Sequence, residues 1–284
     1  MTGGAMPANP AHTSSFKESD LLEVNAIATK NPQKNAPVVE AKAALIMDAS
    51  SGEVLYKKNA STRLPMASLT KIMTALIILE SHDLDEVVTI EENYSLRSSD
   101  ELGVRIWLRQ YEKLTVEDLL EALLLPSAGD AALALATYHS GSEEAFVEEM
   151  NERAKVLNLK NTHFVNPIGI DAEGHYSTAM DMAILTKNAL RFRDFRRIVQ
   201  MKVAEIKSTD GRISHSFDNT DYLLNSYLDI RGIKTGTTDG AGECLINLAY
   251  NEEGHSVISV LLDSPNRFQE NKSLIDWAFR SYEW

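Results

Sequence analysis

Residues 65–79, reading Pro-Met-Ala-Ser-Leu-Thr-Lys-Ile-Met-Thr-Ala-Leu-Ile-Ile-Leu, place apolar side chains around almost the whole circumference of a helix. A surface helix keeps a polar face, so this one is expected to be buried on all sides, with the rest of the fold built around it. Lys71 lies inside it. Lysine is rarely buried without a partner, and an isolated ammonium is costly to take out of water. Ser68 precedes it by three residues and shares its face. Ser68 also falls in the first turn, where free backbone N–H groups can receive an anion. Two readings follow. Ser68 can be a nucleophile and Lys71 its base, since a desolvated lysine loses its proton more readily. Alternatively, Ser68 caps the helix and Lys71 reaches solvent.

The chain of 284 residues is long enough to bury a sizeable core in one or two domains. Its formal charge of −13 argues against nucleic acid or an anionic lipid surface as partner. The single cysteine, Cys244, excludes an internal disulfide and any multi-cysteine zinc site. No apolar run approaches the length of a membrane span. The start, Met1 to Met6, has neither the basic nor the apolar region of an export signal and reads as an added tail.

Residues 1–37 hold four of the eight prolines and no sustained periodicity, which predicts a mostly disordered leader with at most a short helix over 21–28. From residue 38 the texture changes. Ala43–Met47 and Glu53–Lys57 read as a hairpin around Asp48–Gly52. Helices are expected from about 65 to 194. They include Thr115–Leu125 stopped by Pro126, an Ala-rich helix over 131–139 capped by Asp130, and one after Ser142 running through Leu157. Strands return at Arg231–Thr235, Cys244–Tyr250 and His255–Leu262, and Ser264–Pro265 opens a last helix to about Tyr282. The expected class is α+β: an antiparallel sheet built from 38–64 and 195–284, covered by helices, with an inserted all-helical part over 65–194.

Two further motifs follow the first in order: Ser127-Ala128-Gly129 after Pro126, and Lys234-Thr235-Gly236 on a predicted strand. Ser-x-x-Lys, then a Ser-led triplet, then Lys-Thr-Gly is the set used by penicillin-binding proteins and class A β-lactamases. The surrounding sequence resembles the serine D-alanyl-D-alanine carboxypeptidases, the low-molecular-mass penicillin-binding proteins of the peptidase S11 family. The likeness extends to Ala44–Asp48 with Gly52 and Leu55, to His163–Asp171 with Gly174–Asp181, to Asn219-Thr220 ahead of Leu223-Leu224, and to Arg267-Phe268 ahead of Leu274–Phe279. It covers about 38–282.

This resemblance implies a β-lactamase/penicillin-binding transpeptidase-like fold and a cofactor-free, metal-free hydrolase. Such an enzyme removes the terminal D-alanine of peptidoglycan stem peptides and is acylated by β-lactams. It works in the cell envelope, with any membrane attachment through an anchor absent from this sequence. By the same resemblance Ser68 is acylated, Lys71 is its base, and Ser127 relays a proton. Lys234 holds the electrostatics and helps keep Lys71 neutral. The N–H groups of Ser68 and Thr237 form an oxyanion hole, and Thr235, Thr237 and Arg267, beside Gly236, meet the substrate carboxylate.

One residue departs from the pattern. The Ser-led triplet ordinarily ends in Asn, whose amide steadies the lysine and the substrate backbone, and Gly129 stands there. The expected consequence is a missing hydrogen bond, with three outcomes open: reduced activity, an altered substrate range, or compensation by a neighbour such as Asp130 or a water. Gly129→Asn is then expected to raise kcat/KM roughly tenfold, or to lower it if Gly129 has a positive φ or the cleft has closed around the missing side chain. Two alternatives stay open: a class A-like β-lactamase, and a weakly active or non-catalytic homologue. The first needs a Glu-x-x-Leu-Asn loop, and His163–Ser177 offers only Glu173. The seven histidines show no metal-ligand spacing, Gly236–Gly242 lacks dinucleotide spacing, and Cys244 reads as a buried thiol.

Overall fold

The structure is a computed structural model and describes residues 28–30 and 35–284. A five-stranded antiparallel sheet is the central layer. Its strands are β2 (Ala43–Asp48), β3 (Val54–Lys58), β8 (Asp229–Thr238), β9 (Gly242–Tyr250) and β10 (Ser256–Ser264). Their spatial order is β3-β2-β10-β9-β8, so both ends of the chain contribute and β8 forms one edge.

The sheet is buried on both faces along its inner strands, which is why β2, β9 and β10 read as near-continuous apolar runs. In β2, Ala43, Leu45 and Met47 enter the core shared with the helices. Ala44 and Ile46 enter a second core under the last helix, α8 (Arg267–Ser281), with Leu274, Ile275 and Ala278. On the other face lie α1 (Lys71–Ser81), α3 (Val116–Leu124), α4 (Gly129–Ser140), α5 (Glu143–Val156), α6 (Ala179–Ala189) and α7 (Arg193–Val199); the short α2 spans Ser99–Leu102. Helix α6 packs directly on β2 and β10, while α1 is surrounded by α3, α4, α5 and α6. All of α1 from Lys71 to Ile78 is buried, as its apolar circumference requires.

Caps follow local chemistry. Thr115 and Asp118 form a capping box at α3, and Ser142 caps α5 by accepting the Ala145 N–H. Two expectations need correction. Asp130 does not cap α4: Ala128 holds that position, and Asp130 lies inside the first turn, where its carboxylate is drawn to a neighbouring loop. Helix α8 begins at Arg267 rather than Pro265, because Ser264 Oγ accepts the Asn266 N–H and holds that turn open. Within residues 1–37, Thr29–Lys30 (β1) pairs with Tyr282–Glu283 (β11). The suggested helix over 21–28 lies, apart from Ala28, outside the described residues. The inserted part also carries β4 (Val87–Thr89) paired with β5 (Lys113–Thr115), and beyond it β6 (Val203–Lys207) pairs with β7 (Ser214–Asp218). Among the described residues no helix is long and apolar enough to cross a membrane.

Candidate active site

Ser68 stands in a 3-10 turn, Ala67–Thr70, that runs straight into α1 at Lys71. The segment is therefore not one helix from Pro65: Ala67 adopts a left-handed φ of 48°, and this kink lifts Ser68 toward the edge strand. The turn is fixed from two sides by glycines. A Cβ on Gly169 would overlap the Ala67 carbonyl oxygen and come within 2.9 Å of Ser68 N. A Cβ on Gly236 would also come within 2.9 Å of Ser68 N. Gly236 of the third motif is thus required by the close approach of β8 to the serine backbone, a packing reason the sequence did not disclose. Thr70 Oγ1 closes the turn by donating to Ala67 O.

Lys71 is 1% exposed. Its Nζ lies 3.1 Å from Ser68 Oγ and 2.6 Å from the Ile168 carbonyl oxygen. Burial pulls its pKa well below the ordinary value, the Lys234 ammonium pulls it further, and Asp130 opposes them in part. A neutral amine can keep an N–H on Ile168 O and turn its lone pair to the Ser68 hydroxyl.

Lys234 is also 1% exposed, on β8, and donates to Thr235 O at 3.1 Å. Burial and then the Arg267 guanidinium bring its pKa down to about 7, while Asp221 works the other way. Arg267, the first residue of α8, donates to Gly236 O at 2.8 Å and to Thr237 Oγ1 at 2.5 Å. Lys234, Thr235, Gly236, Thr237 and Arg267 therefore form one group along β8 and lie against the Ser68 turn. Thr235 shares a 2.6 Å hydrogen bond with Thr220, whose N–H and hydroxyl both reach Leu125 O. This ties β8 to the segment carrying Ser127. Ser127 has φ 71°, and its hydroxyl is buried with no hydrogen-bond partner. A buried polar group left open in this way is a candidate for interaction with substrate.

Gly129 overturns an expectation. A side chain at 129 has no room: a Cβ would overlap the Leu102 carbonyl oxygen, with Leu102 C at 2.9 Å and Ile168 Cγ2 at 3.2 Å. The Gly129 N–H donates to Val104 O at 2.7 Å. Main chain from 102 to 104 fills the volume of the usual amide, so no empty hydrogen-bonding gap exists there, and Gly129 offers a substrate no side chain. Asp130 does not substitute for the amide either. Its buried carboxylate accepts the N–H groups of Ile106 and Leu108 at 3.3 and 3.1 Å.

Several supports were not singled out from the sequence. Asn166 accepts the N–H groups of Ile168 and Gly169, which aims the Ile168 carbonyl at Lys71. His175 bridges Val165 N–H and Thr70 Oγ1. Asp171 accepts from Thr238 Oγ1 and Gly240 N, joining the 163–177 loop to the turn after β8. The signal was present only as the runs His163–Asp171 and Gly174–Asp181, in which His163 and His175 read as structural or surface residues and Asn166 and Asp171 carry no role. That loop gives Lys71 a carbonyl and leaves Glu173 exposed. Among the described residues no group of three His, Cys, Asp or Glu could hold a metal.

A serine hydroxyl on a buried lysine, beside a second buried lysine and an arginine, is the arrangement that the penicillin-recognising class of serine enzymes carries. Residues 29–266 match the family model for D-alanyl-D-alanine carboxypeptidase, peptidase S11, and the chain belongs to that family. It is 38% identical over 253 residues to D-alanyl-D-alanine carboxypeptidase DacF of Bacillus subtilis, covering 86% of this chain and 63% of that protein. It is 34% identical to a D-alanyl-D-alanine carboxypeptidase of Streptomyces sp. K15, covering 89% and 91%. The crystal structure of the Streptomyces K15 DD-transpeptidase matches with a TM-score of 0.80 at 33% identity, over 87% of this chain and 99% of that one. Penicillin binding protein 6B of Escherichia coli matches with a TM-score of 0.78 at 29% identity, over 88% and 81%. The chain thus spans less than two thirds of the length of DacF and almost all of the K15 protein.

Proposed function

We propose that this chain is a serine D-alanyl-D-alanine carboxypeptidase acting in the cell envelope on the D-Ala-D-Ala end of peptidoglycan stem peptides. The observation that carries this reading is the contact between Ser68 Oγ and a buried Lys71 whose basicity is lowered by burial and by Lys234. Neutral Lys71 takes the Ser68 proton as Oγ attacks the penultimate carbonyl. The Ser68 and Thr237 N–H groups stabilise the resulting oxyanion. Ser127 passes a proton to the departing D-alanine nitrogen, and an acyl-enzyme remains on Ser68. Water, deprotonated by the same base, then releases the shortened peptide. Lys234, Thr235, Thr237 and Arg267 receive the terminal carboxylate. A β-lactam acylates the same serine, because its strained amide stands where the peptide bond would lie.

The two rival readings fare less well. A class A-like β-lactamase needs a deacylating glutamate, and the 163–177 loop brings a carbonyl to Lys71 instead. A decayed, non-catalytic homologue was suggested by Gly129, yet that glycine is demanded by packing. The test is labelling with a fluorescent penicillin, followed by mass analysis of the Ser68 peptide and assay of D-alanine release. Ser68→Ala is expected to abolish both while unfolding at the same temperature, because the Ser68 side chain caps no helix. Undiminished labelling of the alanine variant would sink the assignment.

A further inference from the structure

One buried carboxylate beside the site has no part in the reaction just described. Asp221 is 2% exposed and opens the 3-10 turn Tyr222–Asn225. It accepts the Leu223 N–H at 3.0 Å, and Asn247 Nδ2 of β9 also donates to it. Its own N–H goes to Asn219 Oδ1 at 2.9 Å. Asn247 is the ladder partner of Ile233, the residue before Lys234. Thr220, the residue before Asp221, is bonded to Thr235, the residue after Lys234. Asp221 and its neighbour therefore grip β8 on either side of Lys234.

The charged groups acting on Asp221 are Lys234 from β8 and Arg267 from α8. Strand β9 presents only the uncharged Asn247 amide, and the 3-10 turn only a backbone N–H. We infer that Asp221 is a positioning residue for the proposed reaction, its carboxylate being the counter-charge that keeps Lys234 cationic beside the Arg267 guanidinium, where the substrate carboxylate docks. This inference rests on the carboxypeptidase reading of the site. Its electrostatics are consistent: the half-buried Arg267 guanidinium destabilises the buried Lys234 ammonium, and an anion behind them offsets that repulsion. The ordinary cost is visible on Asp221 itself, whose pKa is pushed up to about 6 by burial despite the two cations.

Removing the charge while keeping the shape has a directional consequence. Without the anion, Lys234 deprotonates at lower pH. The substrate carboxylate then loses its partner, and Lys71 loses the field that keeps it neutral. Asp221→Asn is suited to the test. Asn247 Oδ1 has no hydrogen-bond partner, so the Asn247 amide can turn over and accept from the new amide at 221, giving up only the longer 3.3 Å bond from its Nδ2 to the Gly232 carbonyl. The new Oδ1 still accepts the Leu223 N–H.

The experiment is the pH profile of D-alanine release from a peptide with a free terminal carboxylate. In Asp221→Asn the alkaline limb of kcat/KM is expected to move toward acid by on the order of one pH unit, mainly through KM. At pH 6 the two proteins should differ by less than about threefold. Asp221→Glu, which retains the charge, should keep the limb near its original position. A uniform loss at every pH with the limb unmoved would overturn the inference and leave Asp221 a packing residue. Should Asp221→Asn fail to fold, the Lys234 Cε resonance of the unaltered protein decides: it must show a titration step as Asp221 ionises, and a resonance without that step overturns the idea. That measurement needs no activity. A wild-type protein that neither binds penicillin nor releases D-alanine would instead remove the carboxypeptidase reading.

Discussion

A neutral Lys71 nitrogen has two N–H bonds and one lone pair, and its surroundings supply a use for both. Ile168 O takes a hydrogen, and Ser68 Oγ faces the lone pair. Since burial and Lys234 bring the Lys71 pKa well below the ordinary lysine value, its free base is far more available than that of an exposed lysine and is lost as pH falls through the lowered value. Acylation by a β-lactam is therefore expected to slow on the acid side. Lys71→Arg should acylate at least about a hundredfold more slowly, because a guanidinium stays protonated and cannot act as base. An arginine variant with wild-type acylation rates would show that charge alone matters at 71. Gly129 gives the second prediction at this scale. Gly129→Ala and Gly129→Asn must displace the Leu102 carbonyl or Ile168, whose own carbonyl holds Lys71. Overpacking of this kind costs about 1–3 kcal/mol. Both variants should melt several degrees lower and release D-alanine more slowly, the asparagine variant most. An asparagine variant with unchanged melting and higher activity would show that the 102–104 chain yields. The Ser-Lys pair was legible because a lysine in an apolar helix violates a rule. The role of Gly129 was not, since no local pattern says that residue 102 passes over residue 129.

Elements meet at this site through single side chains, and His175 is the most exposed to pH. Its Nδ1 accepts the Val165 N–H, so its proton sits on Nε2 and is donated to Thr70 Oγ1, which donates onward to Ala67 O. The chain pins the nucleophile turn to the 163–177 loop, and it needs a neutral ring. Burial brings the His175 pKa down to about 4 from an ordinary 6.5. The unfolded chain therefore takes up a proton that the folded protein refuses. This contribution to stability is complete above pH 6.5 and is lost progressively as pH falls toward 4, by on the order of 3 kcal/mol. Asp221 acts oppositely, since its raised pKa adds stability as pH falls through about 6. The comparison of wild type with His175→Gln isolates the histidine. The melting temperature of the variant should change less between pH 7 and pH 4.5, and parallel curves would refute the assignment. The hairpins and capped helices could be read from sequence, because Thr115, Ser142 and the turn at Asp48–Gly52 are local signals. The pairs β4–β5 and β6–β7 could not. Their strands are short and largely exposed; β6 and β7 alternate in burial, but the exposed Val203 and the half-buried, polar His215 break the matching alternation of residue types, and no apolar run marks any of the four.

At the scale of the whole molecule, the question is whether the sheet and the inserted helices are separate units. The chain leaves the sheet after β3, forms α1 and the other helices, and returns through β8, which suggests two parts with the site in the seam. The packing argues for one. A single buried cluster contains Ala43, Leu45 and Met47 of β2, Ile258 and Val260 of β10, all the buried apolar residues of α1, and Phe146, Phe195 and Leu185 from α5, α7 and α6. Helix α6, from the inserted stretch, lies directly on β2 and β10. The Ser68 turn lies against β8 and β9. Removing either part would strip water-excluding contacts from α1, which is buried on every side and cannot face solvent without exposing a column of Ile, Leu and Met. Calorimetry is accordingly expected to show one cooperative transition, with calorimetric and van't Hoff enthalpies in agreement. A chain of residues 65–194 expressed alone should remain unfolded or aggregate. Labelling by penicillin should disappear in step with the thermal transition, because the nucleophile and its base come from one part and Lys234 from the other. Two resolved transitions, or a folded and soluble 65–194 fragment, would show instead that the helical part holds together without the sheet and that the shared core is an interface between two domains.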